Sequence, residues 1–329
     1  MRTKTCTVLV TLAIMSLCLT FLATSTAYAQ VPVGPNRPAG VPDGYVITPF
    51  GYFHPSCVRQ VNEGETLLGD GRIRFKDGRE EANVPFCNFP RYSPTGELVP
   101  QGSANAEPFE ISWNWIESDQ VATSTTYGKI TATYTVPPTP AANDGQTLFF
   151  FPGFAHQHNS PPNEEPIIQP VLGWNDGQYG AGPWNIASWN CCPSGMTWSS
   201  NPVTVNPGDE IQGTVKSECK AGTQSCAKWS ITTKDVTTKK ATTLNSDFSQ
   251  GMAFPWAQAG VLEVYNIYQC SDFPPNDSIE FSKVALYDYN FKKIKNPGWA
   301  PMYWVQQGVT QPWCNYEVTT TATSATLTY

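Results

Sequence analysis

From about Ser112 onward the chain alternates short apolar runs with turn-forming residues. Between Gly128 and Val136, Ile130, Ala132, Tyr134 and Val136 alternate with Lys129, Thr131, Thr133 and Thr135, until Pro137-Pro138 ends the pattern. A period of two in β-branched and aromatic residues predicts a strand with one buried face. Leu148–Phe151 and Ile167–Trp174 are near-continuous apolar runs, as expected of strands covered on both faces. Further strands are expected over 184–189, 202–205, 211–215, 227–233, 240–244, 260–268 and 278–287, with Asn206–Asp209 as a turn. Helical periodicity is nowhere evident. The pattern predicts an all-β antiparallel sandwich or jelly roll over residues 111–329.

The first third of the chain reads differently. Residues 30–43 are Pro-rich and predict an extended linker. Residues 44–110 predict a small N-terminal unit, with a strand at Tyr45–Ile47, a hairpin at Asp70-Gly71 and a further turn at Asp77-Gly78. Cys57 and Cys87 bracket that hairpin region. A unit this small with one disulfide is marginal alone, so it either packs on the main domain or is a removable pro-segment. Ahead of it, residues 1–29 have the form of an export signal: Arg2 and Lys4, an apolar run from Thr7 to Ala23, and Ala27-Tyr28-Ala29 before a cut near Gln30. The expectation is a secreted, extracellular protein with no membrane association after cleavage.

Composition narrows the function. The formal net charge is −7, without a basic cluster, so phosphate neutralisation and hence a nucleic-acid partner are not expected. Of ten cysteines, Cys6 and Cys18 belong to the leader, leaving an even set suited to disulfides in an exported chain. The 57/87 and 219/226 pairs are near neighbours; partners for Cys191, Cys192, Cys270 and Cys314 stay open. His156 and His158 with Glu164 and Glu165 suggest a metal site, but they fall in a Pro-rich stretch without a third histidine, and an exposed loop is the better reading. No metal or cofactor is expected. Glu164 and Glu165 are adjacent, so on a strand they point apart and cannot flank one glycosidic bond.

Three segments in order resemble the glutamic peptidase (eqolisin) family: Ile130–Pro137, Pro166-Ile167-Ile168-Gln169, and Ala259–Val284, with Pro207–Ile211 between them. The resemblance implies a concanavalin-A-like jelly roll, a monomer acting on polypeptide substrates, and a catalytic pair of Gln169 and Glu263 facing each other across a wet groove. A carboxylate can take a proton from water and pass it to the leaving amine, while a carboxamide N–H can hold the oxyanion. Trp189, Trp174 and Tyr265 are the expected substrate-binding residues. The family carries Trp after its glutamate where this chain has Val264, and an acid ahead of its glutamine where this chain has Phe151–Ala155. These departures motivate a second reading, a non-catalytic carbohydrate- or peptide-binding jelly roll; a polysaccharide lyase or hydrolase is the third.

Overall fold

The computed structural model describes residues 37–99, 115–143, 145–156, 166–176, 184–191, 195–303 and 314–329. The export signal, half of the Pro-rich linker, His158, Glu164, Glu165 and Cys192 lie outside them. Among the described residues the regular structure is strand, apart from single 3-10 turns at Pro55–Cys57 and Cys270–Asp272. The chain forms two packed sheets, with a third, smaller sheet on the outside.

The first large sheet runs β20 (Ala300–Tyr303), β8 (Trp115–Ala122), β18 (Trp256–Tyr265), β10 (Thr147–Ala155), β11 (Ile167–Trp174), β12 (Asn185–Cys191), β13 (Thr197–Ser200) and β3 (Val58–Val61), with β14 (Val203–Thr204) beside β12. The second runs β21 (Glu317–Thr321), β22 (Ser324–Thr328), β19 (Ser278–Asp288), β9 (Tyr127–Thr135), β15 (Glu210–Ser217), β16 (Cys226–Asp235), β17 (Ala241–Met252), β4 (Thr66–Leu68) and β5 (Ile73–Arg74). The small sheet is β1 (Val46–Thr48), β2 (Gly51–Phe53), β6 (Arg91–Tyr92) and β7 (Leu98–Val99).

Strand alternation assigns the faces. In β10 and β11, Phe150, Ile168 and Leu172 point inward to the second sheet, together with Leu262 of β18. Glycine lets the layers close: a side chain on Gly213 of β15 would collide with Pro152 and Pro170 of the first sheet. Phe149, Phe151, Val171 and Val261 point the other way. This outer face would be solvated in a two-layer sandwich. Here all four are fully buried, and the N-terminal unit packs rings of Phe50 and Tyr52 against Trp189 and Tyr265.

That unit is also stitched into both large sheets. β3 pairs in parallel with β13, and β4 in parallel with β17. The Cys57–Cys87 disulfide closes it, and Arg74 reaches Asp247 of β17 at 3.1 Å. Removing the whole unit would expose a strand edge on each large sheet. The remaining described disulfides are Cys219–Cys226, as the sequence spacing suggests, and Cys270–Cys314.

Two elements run counter to the sequence reading. β8 carries Glu117, Ser118, Asp119 and Gln120, yet all four are buried. The C-terminal hairpin β21–β22, rich in threonine, extends the second sheet through β19.

Candidate active site

Gln169 sits mid-strand in β11, between Ile168 and Pro170, and is completely buried. In register it lies beside Gly153 of β10 on one side and Trp189 of β12 on the other. Gly153 in turn pairs with Gln258 of β18. Paired residues share a face, so Gln169 and Gln258 flank a bare glycine on the outer face. A Cβ on Gly153 would stand 3.3 Å from the Gln169 side chain and 3.5 Å from Gln258 Oε1. The Gln169 amide donates to the carbonyl of Pro49 at 3.4 Å. Gln169 Oε1 and Gln258 Oε1 are buried and accept no hydrogen bond.

Glu263 lies on the same face. It pairs with Phe149, which pairs with Gly173, four residues along β11 from Gln169. At about 3.3 Å per residue and about 4.8 Å per strand spacing, the two α-carbons stand roughly 16 Å apart. The expected pair therefore shares a surface without touching. Nor is the surface wet, because Glu263 is 2% exposed and Gln169 0%.

The Glu263 carboxyl takes two donors. A bulge in the β8–β18 pairing aligns Trp115 with Glu263, and the indole N–H donates to Oε2 at 3.1 Å. Tyr265, two residues on and so on the same face, donates its hydroxyl to Oε1 at 2.5 Å. The Tyr265 oxygen accepts the Gly51 N–H at 2.9 Å. Burial pushes the Glu263 carboxyl up to about 8, which the Tyr265 and Trp115 bonds only partly offset. In this closed arrangement the carboxyl keeps its proton below neutrality and is an acid, not a base.

The hairpin tip Pro49-Phe50 between β1 and β2 thus bridges the two residues. Its Pro49 carbonyl meets Gln169, its Gly51 amide meets Tyr265, and Phe50 sets its ring edge-on to Trp189 at 6.2 Å. Gly51 has φ +110, and a Cβ there would strike the Tyr92 carbonyl oxygen at 2.4 Å, so glycine is required at this position.

Of the other expected binding residues, Trp189 and Tyr265 line this face. Trp174 does not. It is five positions from Gln169, so alternation turns it to the opposite face, where its ring meets Trp184 at 5.3 Å. Sequence reasoning missed Gln258, whose signal is a second polar side chain, with Glu263, in the largely apolar run of β18; Trp115, one of several tryptophans able to line a groove, is singled out by the bulge that aligns it with Glu263. Among the described residues no cluster of three potential metal ligands occurs.

No protein-family model and no curated protein matches the chain. Solved structures do. A scytalido-glutamic peptidase with a peptide-based transition-state analogue aligns at TM-score 0.44 and 15% identity, over 65% of this chain and 97% of that one. SCP-B, an eqolisin peptidase bound to the tripeptide Ala-Ile-His, aligns at 0.44 and 16% over the same shares. Aspergilloglutamic peptidase from Aspergillus niger aligns at 0.39 and 18%, over 56% and 98%. The likeness is distant. At this similarity residue roles do not carry across, and those above rest on this chain's own geometry.

Proposed function

We propose that this chain is a secreted, acid-acting endopeptidase of glutamic-peptidase type, described here with its site closed. The observation that carries the reading is convergence: Gln169 from one side and the Glu263–Tyr265 pair from the other both hydrogen-bond one short stretch of peptide backbone, Pro49–Gly51. A substrate in that place would present its carbonyl oxygen to the Gln169 amide. An attacking water would stand where the Gly51 N–H now meets the Tyr265 oxygen, and would pass its proton through that hydroxyl to Glu263 as the C–O bond forms. The proton would return by the same route to the amine nitrogen as the C–N bond breaks. The single amide donor would contribute about 3 kcal/mol to the oxyanion. Glu263 must be ionised for this, so the hairpin tip has to withdraw and admit water, which lowers the carboxyl from its buried value.

Digestion of an unfolded protein at pH 3–5 tests the reading. Wild type should cleave it, and Glu263→Gln and Gln169→Ala should each lose on the order of 100-fold or more. Equal activity in wild type and Glu263→Gln would remove Glu263 from the mechanism. One observation favours the second reading, a non-catalytic peptide-binding protein: the side chain facing Gln169 across Gly153 is the carboxamide of Gln258, not a carboxylate. Peptide binding without cleavage in wild type would decide for it.

A further inference from the structure

The hairpin tip is an incomplete partner for the groups it covers. Its Pro49 carbonyl satisfies the Gln169 amide donor, but proline has no N–H to return. The acceptor oxygens of Gln169 and Gln258, both in side chains no more than 2% exposed, are left without a donor. Unsatisfied buried acceptors destabilise whatever arrangement leaves them so. The two carboxamides lie on one face with only Gly153 between them, so close that a Cβ on Gly153 would touch both side chains.

We infer that Gln169, Gly153 and Gln258 form a binding site for a peptide group with a free backbone N–H, and that the Pro49-Phe50 tip is its displaceable internal occupant. An ordinary residue in place of Pro49 offers both a carbonyl to the Gln169 amide and an N–H to the waiting oxygens. The residue after it would put an aromatic side chain where Phe50 now meets Trp189. Gln258 is then a substrate-positioning residue, and an incoming peptide competes with the tip by completing hydrogen bonds that the tip cannot. Displacement is local, because β3 and β4 hold the rest of the N-terminal unit in the two large sheets. The inference deepens the peptidase reading, since it names the substrate feature the same face selects, but binding is measurable without catalysis.

The test uses the full chain carrying Glu263→Gln, titrated with acetyl-Ala-Phe-Gly-amide and with acetyl-Pro-Phe-Gly-amide. The alanine peptide should bind at least about tenfold tighter and should speed hydrogen exchange of segment 46–53, where the Gly51 amide loses its Tyr265 partner. Adding Gln258→Leu should shrink the tenfold preference to less than about threefold. Equal affinity for the two peptides, or no binding, overturns the inference; so does a preference that persists in Gln258→Leu. If Gln258→Leu does not fold, the alanine-to-proline comparison decides alone. Failure of the peptidase reading looks different: wild type binds the alanine peptide with the stated preference and leaves longer peptides uncut.

Discussion

Glu263 and Glu117 stand on neighbouring strands, β18 and β8, and face opposite ways. Glu263 looks outward under the N-terminal hairpin, where Trp115 and Tyr265 donate to its two oxygens. Glu117 looks inward under the C-terminal hairpin, where no side chain donates to it and only the backbone N–H groups of Glu317 and Thr328 offset its burial. Both carboxyls are pushed up by burial, Glu263 to about 8 and Glu117 to about 9. Asp119, two residues along from Glu117 and bonded by the Thr320 hydroxyl at 2.7 Å, reaches about 6. The difference separates two uses of a buried acid. The inner one is locked in by packing and can only report on stability. The outer one is covered by a hairpin tip whose withdrawal would return it to ordinary acidity.

The largest expected effect is on stability against pH. Each of these groups holds its proton in the folded chain to a higher pH than in the unfolded chain. Their contribution is therefore complete below about pH 4, and it is lost as the pH climbs through about 6 for Asp119, 8 for Glu263 and 9 for Glu117. Thermal unfolding should be hardest near pH 4 and should ease by several kcal/mol toward pH 9. Glu117→Gln should remove the largest share of that decline, on the order of 3 kcal/mol at pH 8, with little change at pH 4. A flat profile in wild type would mean that water reaches these carboxyls.

Glu263→Gln should have a smaller effect on stability, roughly 2 kcal/mol gained at pH 8, because the two donors already hold part of the charge. It should nonetheless abolish acid digestion, while Glu117→Gln leaves digestion at pH 4 within about twofold. If both substitutions silence digestion equally, the contrast between an outer working acid and an inner structural one fails. The smallest effect belongs to Thr320→Val. Loss of that hydroxyl should raise Asp119 further and cost about 1 kcal/mol above pH 6, readable as a steeper stability slope there and unchanged stability at pH 4.

Much of the sandwich was legible because its strands obey simple patterns. Ile167–Trp174 reads as an apolar run bounded by turn-forming residues, and the structure has β11 over that same span. The alternation that sets Glu263 and Tyr265 on one side of β18 holds. β8 was hidden because its buried positions carry Glu117 and Asp119, which a pattern of hydrophobicity scores as exposed. The C-terminal hairpin was hidden by its run of threonines, Thr319 to Thr321, which are exposed or half-buried and leave Val318 as the buried position of β21. Of the site, the shared face of Gln169 and Glu263 could be anticipated only through resemblance. Their offset along the strands could not, since pairing register depends on contacts remote in sequence. Nor could the covering hairpin, whose Gly51 meets Tyr265 across 214 positions.

Strands β3 and β4 are joined by four residues, Asn62 to Glu65, yet one completes the first large sheet and the other extends the second. Their partners, β13 and β17, are made far later in synthesis. The N-terminal stretch therefore cannot take its places in the two sheets until β13 and then β17 have emerged, and each pairing closes a loop of more than about 100 residues. Slow, late closure is the kinetic signature to expect.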